Sequence, residues 1–342
     1  MESIRRIYIK QRPDAYKEWE AFLHAANIRP EGNVDYTCGI YEGDVLLATG
    51  SLYKNIIKCV AIHDDYQGGN YFNQLISHLM EEIADRGYPQ FYVYTKPEYS
   101  QSFKYLGFQV IGHVDNVLVF LERAVSGFDT YLEELKKHKK TGDVNAAIVM
   151  NANPFTKGHQ YLVETASKMA DNLYVFVVAE DVSDFPENVR RRLVEEGCRD
   201  FPNVEVLSTG NYMVSSQTFP SYFIKESEDV TRVQASLDAS VFKERIAPVL
   251  GINHRFLGEE PLSVATEIYN ESLKSTLEPD IKVVIIPRKE HAQEVISASR
   301  VRRLLTEGNI EAVKDLVPST TFDFLRSDEG HKVIESMKTR RK

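Results

Sequence analysis

Two short strings of this 342-residue chain carry residue types suited to phosphate chemistry. The first is Asn151-Ala152-Asn153-Pro154-Phe155-Thr156-Lys157-Gly158-His159, and the second is Ile296-Ser297-Ala298-Ser299-Arg300-Val301-Arg302. An apolar run ends near Met150, and Pro154 cannot continue a strand because it brings no N–H to the ladder. Gly158 leaves the backbone bare where a helix is predicted to start, and unsatisfied N–H groups there favour an anion. Thr156 offers a hydroxyl and His159 an imidazole. In the second string, Ser299 is the predicted N-cap. Arg302 stands one turn on, where a guanidinium can give a two-pronged contact to a phosphate. Ser297 and Ser299 add hydroxyls. Such a set suits in-line displacement at phosphorus, where positioning and electrostatics dominate. The bond broken would be the α–β bond of a triphosphate, with AMP passing to an acceptor. Each string has a plainer alternative: a turn with a helix-capping histidine, and a capped basic surface helix. Lys157 is equally suited to assisting phosphates or facing water. Placement of both strings directly after predicted strands favours the chemical reading.

The elements that must hold these strings follow from periodicity. Ala146–Met150, Leu173–Val178, Val204–Leu207, His254–Leu257 and Lys282–Ile286 read as strands. His159–Ala170, Glu187–Glu196, Val241–Leu250, Val264–Leu273 and Ser299–Thr306 read as helices, with Leu162, Ala166 and Met169 on one face of the first. This alternation implies right-handed crossovers and a doubly wound, Rossmann-like parallel sheet. A ligand is expected at the carboxyl ends of its strands. Both strings fall at that edge.

Residues 1–125 mix strands and helices differently. Tyr36–Tyr41 and Val45–Ser51 flank a Glu42-Gly43-Asp44 turn, and Ile56–Ile62 is a buried-type strand. Residues 70–86 read as a long helix. Phe91–Thr95, Phe108–Ile111 and Asn116–Leu121 are strands, with a short helix over Tyr99–Leu106. Phe128, Tyr131, Leu132 and Leu135 form one apolar helical face in a connecting segment. The predicted organisation is therefore 1–125, a linker over 126–142, and 143–342.

Composition narrows the class. Hydrophobic residues make up 43% and charged residues 27% of the chain, as in ordinary soluble globular proteins. The net charge of −9 argues against a general nucleic-acid binder. Cys38, Cys59 and Cys198 are too few and scattered for a disulfide framework or a zinc site. No metal-ligating cluster is predicted. A cytoplasmic protein without membrane association is expected.

The Thr-x-Gly-His string and the Ile-Ser-x-Ser-x-x-Arg string resemble those of the nucleotidyltransferase superfamily, which includes pantetheine-phosphate and nicotinamide-nucleotide adenylyltransferases. The chain is more closely similar to the citrate lyase ligase family. That likeness runs through Asn151–Leu162, Asn203–Val206, Thr218–Phe223, Ile246–Pro248, His254–Pro261, Tyr269–Glu271 and Ile285–Arg302. The resemblance implies an acid–thiol ligase that uses ATP, with Mg2+ expected alongside, to acetylate the thiol prosthetic group of the citrate lyase acyl-carrier subunit. Acetate would attack the α-phosphorus to form acetyl-AMP, and AMP and pyrophosphate would be released. It implies Thr156, His159 and Arg302 as catalytic residues. Asn151, Asn153, Pro154, Phe155, Thr156, Gly158, His159, Gly258, Ser297, Ser299 and Arg302 are implied as ATP contacts. Glu259 stands where the family would have threonine. Arg190 matches a family arginine position, open to phosphate contact or to a surface role.

Residues 1–125 resemble the GNAT acyltransferase fold, in an α+β arrangement preceding the parallel-sheet nucleotidyltransferase domain. In that fold a Gly-rich loop at the start of the long helix holds a CoA pyrophosphate. Here the loop reads Gln67-Gly68-Gly69-Asn70-Tyr71-Phe72, with Asn70 in place of a glycine and Phe72 in place of a small residue. These departures count against ordinary acetyl-CoA binding. Gln67, Gly68, Gly69 and Asn70 are left as contacts for the carrier's prosthetic arm, with a packing role as the alternative. The competing functions are an adenylyltransferase of the pantetheine-phosphate or nicotinamide-nucleotide type, a GNAT acetyltransferase and a non-catalytic interaction protein.

Overall fold

The structure, a computed structural model, describes residues 2–67, 70–179, 183–213, 219, 222, 224, 230–259, 264–287, 290–291 and 294–340. The chain divides into two units, Met1–Glu133 with Val214–Val241, and Glu134–Met213 with Phe242–Lys342.

The first unit contains β1 (Glu2–Arg6), α1 (Pro13–Ala25), β2 (Tyr36–Glu42), β3 (Val45–Tyr53), β4 (Ile56–Ile62), α2 (Tyr71–Asp85), β5 (Gln90–Thr95), α3 (Ser100–Tyr105), β6 (Gln109–Val114) and β7 (Leu118–Ala124). Its seven strands run in the order β1-β2-β3-β4-β5-β7-β6. All pairs are antiparallel except β4 and β5, which meet in parallel at Ile56↔Tyr92 and Ile57↔Val93. Leu75, Ile76, Leu79 and Ile83 of α2 pack fully buried against Cys38, Ile40, Leu52 and Ile57. Their i, i+1, i+4, i+8 spacing gives α2 one apolar face. This is the α+β arrangement expected from the sequence, a mixed sheet with one long helix packed on it. Two elements lay outside that reading. Strand β1 is polar and mostly exposed, so it lacks an apolar alternation. Helix α1 starts on Pro13 and buries Trp19 and Leu23.

The sequence boundaries assigned Val214–Val241 to the second domain, and the fold places this segment in the first unit. Leu237 and Val241 fill the space beside Gly112, where an added Cβ would meet Val241 Cγ2 at 2.4 Å. The Phe219 ring lies 6.0 Å from that of Tyr94. Arg29 donates from its amide to Tyr222 O at 3.0 Å and from Nη2 to Ile224 O at 2.7 Å. Nothing in local periodicity tells which sheet an apolar segment will cover.

The connecting helix α4 spans Phe128–Lys136. The second unit continues with β8 (Asn145–Met150), α5 (Lys157–Ser167), β9 (Asn172–Val177), α6 (Glu187–Gly197) and β10 (Val204–Ser208). Helix α7 (Val230–Val241) is followed by a π-helical turn over Phe242–Ile246 and by α8 (Ala247–Leu250). The sequence predicted one helix there, Val241–Leu250. Pro248 has no N–H to bond the carbonyl one turn back, and the backbone widens just before it. Next come β11 (His254–Gly258), α9 (Val264–Leu277), β12 (Lys282–Ile286), the short pair β13 (Glu290–His291) and β14 (Glu294–Val295), α10 (Ala298–Thr306), α11 (Ser319–Leu325) and α12 (Asp328–Arg340). The five long strands form one sheet in the order β10-β9-β8-β11-β12, every pair parallel. This is the doubly wound sheet predicted from strand–helix alternation. The chain leaves β8 toward β9 and later returns to its other side at β11. Strand order therefore reverses between β8 and β11, and a crevice opens at their carboxyl ends. One face of the sheet buries Ile148, Val175 and Phe256 against Val163 and Ala166 of α5, Leu193 of α6 and Val301 and Leu305 of α10.

Candidate active site

The first string leaves β8 through Ala152, whose φ of +48° turns the chain sharply, and through a cis Asn153–Pro154 bond. Phe155 is fully buried in the core. It occupies the space a side chain at position 197 would need, since a Cβ on Gly197 would meet Phe155 Cε1 at 2.5 Å. Gly197 is the last residue of α6 and makes room for this ring. A buried phenylalanine contributes roughly 1.5–3 kcal/mol, so Phe155 anchors the string rather than facing a ligand.

Helix α5 begins at Lys157 with Thr156 as N-cap, two residues before the predicted start. His159 N–H donates to Thr156 Oγ1 at 3.3 Å, and Thr156 N–H donates to His159 Nδ1 at 3.1 Å. This is a capping box in which histidine takes the place usually held by Glu or Gln. Its consequence is electronic as well as structural. Nδ1 accepts from a backbone N–H, so in the neutral ring the proton is assigned to Nε2. The cap thus makes His159 a donor at its far nitrogen. Met169, expected on the buried face, lies beyond the helix end and is 52% exposed.

Helix α10 begins at Ala298. Ser297, not the predicted Ser299, is its N-cap, with Oγ accepting from Arg300 N–H at 3.2 Å. Gly158 brings the two helix starts together: a Cβ there would meet Ile296 O at 3.1 Å and Thr156 Oγ1 at 3.5 Å. Bare backbone at 158 serves this approach.

A cavity of about 250 Å³ lies where the helices and strand ends meet. Of the predicted residues, Asn151, Thr156, Gly158, His159, Gly258 and Ser297 line it. Its wall also includes Tyr161 and Leu162 of α5, Arg255 of β11, Tyr269 and Asn270 of α9, and Ile286 at the end of β12. Asn270 and Tyr269 belong to a string already singled out in the sequence. Tyr161, Arg255 and Ile286 likewise fall within the strings Asn151–Leu162, His254–Pro261 and Ile285–Arg302, where the sequence assigned them no role of their own. At Gly258 a Cβ would meet nothing closer than Leu162 Cδ2 at 3.8 Å, so the protein leaves that space open.

Asn151 is oriented by its neighbours. Its Oδ1 accepts from Arg190 Nη1 at 2.9 Å and from Ser183 Oγ at 3.1 Å. Arginine cannot accept, which assigns the amide oxygen to that side and the amide NH2 to the other. Arg190 itself is fully buried and also donates to Phe185 O, Asn151 O and Val178 O at 2.7–2.9 Å. Neither role expected for it, phosphate contact or exposed helix surface, is what the fold uses. It ties α6 to the ends of β8 and β9.

Asn153, Pro154, Phe155, Ser299 and Arg302 are not on the cavity wall. Asn153 Oδ1 accepts from Phe185 N–H at 3.0 Å. Ser299 is exposed, and its Oγ accepts from Arg302 Nη2 at 3.2 Å. Arg302 Nη1 donates to Asn153 O at 2.6 Å, and its Nε forms an ion pair with Asp184 Oδ2 at 3.0 Å. Lys157 turns toward another loop, with Nζ 3.4 Å from Lys314 O.

In the first unit, Gln67 Nε2 donates to Asp64 Oδ1 at 2.8 Å, and Asn70 is the N-cap residue of α2 without a side-chain capping bond. Gly68 and Gly69 lie outside the described residues, as do Glu260, Pro261 and most of Thr218–Phe223. Among the described residues no helix is long and apolar enough to cross a membrane.

Donors thus converge on one cavity at the carboxyl edge of a parallel sheet, which is an arrangement for a phosphorylated ligand. The family model "Citrate lyase ligase C-terminal domain" matches residues 145–325. The citrate (pro-3S)-lyase ligase of Escherichia coli K12 is 36% identical over 312 residues, covering 90% of this chain and 89% of that protein. The Klebsiella pneumoniae protein of the same name is 38% identical over 327 residues, 94% of this chain and 96% of that one. A phosphopantetheine adenylyltransferase of Streptococcus gordonii is 30% identical over 100 residues, 28% of this chain and 61% of that protein. The chain belongs to the citrate lyase ligase family.

Proposed function

We propose that the protein is an acid–thiol ligase that acetylates the thiol prosthetic group of the citrate lyase acyl-carrier subunit, using ATP through acetyl-AMP. The observation that carries this is the meeting of the α5 and α10 N-termini, with Thr156, His159 and Ser297, on one cavity at the switch point of the sheet. In the first step an acetate oxygen bonds to the α-phosphorus of ATP while the bond to the β-phosphate oxygen breaks. Pyrophosphate leaves. His159 Nε2–H, Thr156 Oγ1 and the helix N-termini stabilise the charge that gathers on the phosphate oxygens. Asn151 adds an amide donor from the end of β8. In the second step the carrier thiolate attacks the acetyl carbonyl carbon, and AMP leaves.

Mg2+ is expected with the nucleotide. Among the described residues none on the cavity wall is a carboxylate, and the donors they present suit phosphate oxygens. The ion would arrive on the triphosphate. Gln67–Asn70 as contacts for the prosthetic arm belong to the same proposal. In the intact chain, replacing Gln67 and Asn70 together by alanine should slow transfer to the carrier and leave acetyl-AMP formation unchanged.

The test is a reconstitution with ATP, acetate and thiol-form carrier, followed by mass spectrometry of the carrier and by AMP and pyrophosphate release. An acetyl group gained by the carrier, with one AMP per acetyl, supports the proposal. The partial likeness to a phosphopantetheine adenylyltransferase defines the rival outcome, in which pyrophosphate release requires phosphopantetheine and ignores acetate.

A further inference from the structure

Ser183-Asp184-Phe185 follows β9, and each of the three residues bonds to a different part of the two strings. Ser183 Oγ donates to Asn151 Oδ1 at 3.1 Å. Phe185 N–H donates to Asn153 Oδ1 at 3.0 Å. Asp184 Oδ2 pairs with Arg302 Nε at 3.0 Å. The guanidinium of Arg302 in turn donates to Asn153 O at 2.6 Å. The tripeptide therefore reaches the first string directly and the second through Arg302. Its contact with the second is the one that carries charge on both sides.

We propose that Asp184 is a positioning residue for adenylation: through Arg302 it holds the start of α10 in register with Thr156–His159. This rests on the functional reading above. The geometry supplies the reason. Ser297 and the α10 N-terminus can serve the same phosphates as His159 only if the two helix starts keep their separation. Gly158 lets them come so close that a Cβ added to it would stand 3.1 Å from Ile296 O, but bare backbone permits closeness without enforcing it. A planar guanidinium hydrogen-bonded to a carbonyl of the first string and ion-paired at 3.0 Å with a carboxylate limits how far the two starts can separate. Side-chain exposures of 20% for Arg302 and 18% for Asp184 leave the pair partly shielded from water, so it is weakened less by salt than a surface pair. Asp184 is not among the residues that line the cavity.

The test compares Asp184→Asn, Arg302→Lys and the double variant with wild type, in the full chain. Steady-state acetate-dependent ATP–pyrophosphate exchange gives KM for ATP and for acetate. Calorimetric titration with ATP gives Kd. Thermal midpoints check folding. We expect Asp184→Asn to raise KM and Kd for ATP about tenfold, with KM for acetate unchanged and the midpoint close to wild type. In the Arg302→Lys background the same substitution should change Kd less than about twofold, because the partner it acts through has lost its fork. Unchanged ATP binding would overturn the proposal. So would tighter ATP binding, which would mean that Asp184 holds Arg302 away from the phosphates. An equal effect in the Arg302→Lys background, or loss of exchange only in proportion to lost folded protein, would overturn it as well. If wild type binds ATP but shows no acetate-dependent exchange, the functional reading fails while the Kd series still decides the role of Asp184.

Discussion

The two helix starts at the cavity are built alike and used differently. Each begins on a hydroxyl N-cap, Thr156 for α5 and Ser297 for α10. At α5 the cap closes on His159, and the following turn faces the cavity. At α10 only Ser297 and Ala298 line the cavity, while Ser299 and Arg302 turn back to hold the protein together. On the proposed function, one string supplies most of the reacting surface, and the other mostly sets where that surface stands. A motif read as a row of ligand contacts is thus partly a row of braces.

The largest effect should come from the α5 side. His159→Asn keeps an acceptor near the place of Nδ1 for the Thr156 amide but removes the Nε2 donor. Acetate-dependent exchange should fall by about 10²–10³, with a thermal midpoint close to wild type. A folded variant with wild-type rate would end the assignment of His159 as a donor.

Asn151→Asp comes next. The carboxylate still accepts from Arg190 and Ser183, so stability should hold. The amide donor is replaced by an anionic oxygen near a triphosphate, and exchange should drop by about 10². If exchange survives, Asn151 only holds Arg190.

The glycines sharpen the comparison further. Gly158→Ala pushes a methyl against Ile296 O and should cost about 1–3 kcal/mol of stability in denaturant titration, the usual range for overpacking. Gly258→Ala enters open space and should shift stability by no more than about 0.5 kcal/mol, yet it should weaken ATP or acetate binding if that space belongs to a substrate. Ser299→Ala should be the mildest. Removing one exposed hydrogen bond worth about 1 kcal/mol limits the loss of exchange to about fivefold.

The parallel sheet was legible because its strands are short apolar runs separated by helical spacing, as in Ile148–Met150 and Val283–Ile286. The mixed sheet was legible from β2 onward for similar reasons. Its exposed edge strand β1 was not, because a strand with few buried positions shows no alternation. The packing of Val214–Val241 was hidden because apolar spacing reveals that a face is buried and not against what. In the site, residue types were readable while directions were not. The helix-capping histidine offered as the plainer reading of the first string is present, and its Thr-x-x-His spacing with Thr156 is the capping pattern once histidine takes the place of Glu or Gln. Ser297 and Ser299 offer the same hydroxyl two residues apart, so the sequence alone does not decide between them as the cap of α10, and that Arg190 would be buried among carbonyl and amide oxygens depends on contacts with segments distant in sequence.

The central claim is that both strings serve one nucleotide. A crystal structure of the protein grown with AMP tests it most directly. The account predicts the α-phosphate within hydrogen-bond distance of His159 Nε2 and beside the α10 N-terminus at Ser297. An AMP phosphate bound away from both would contradict it.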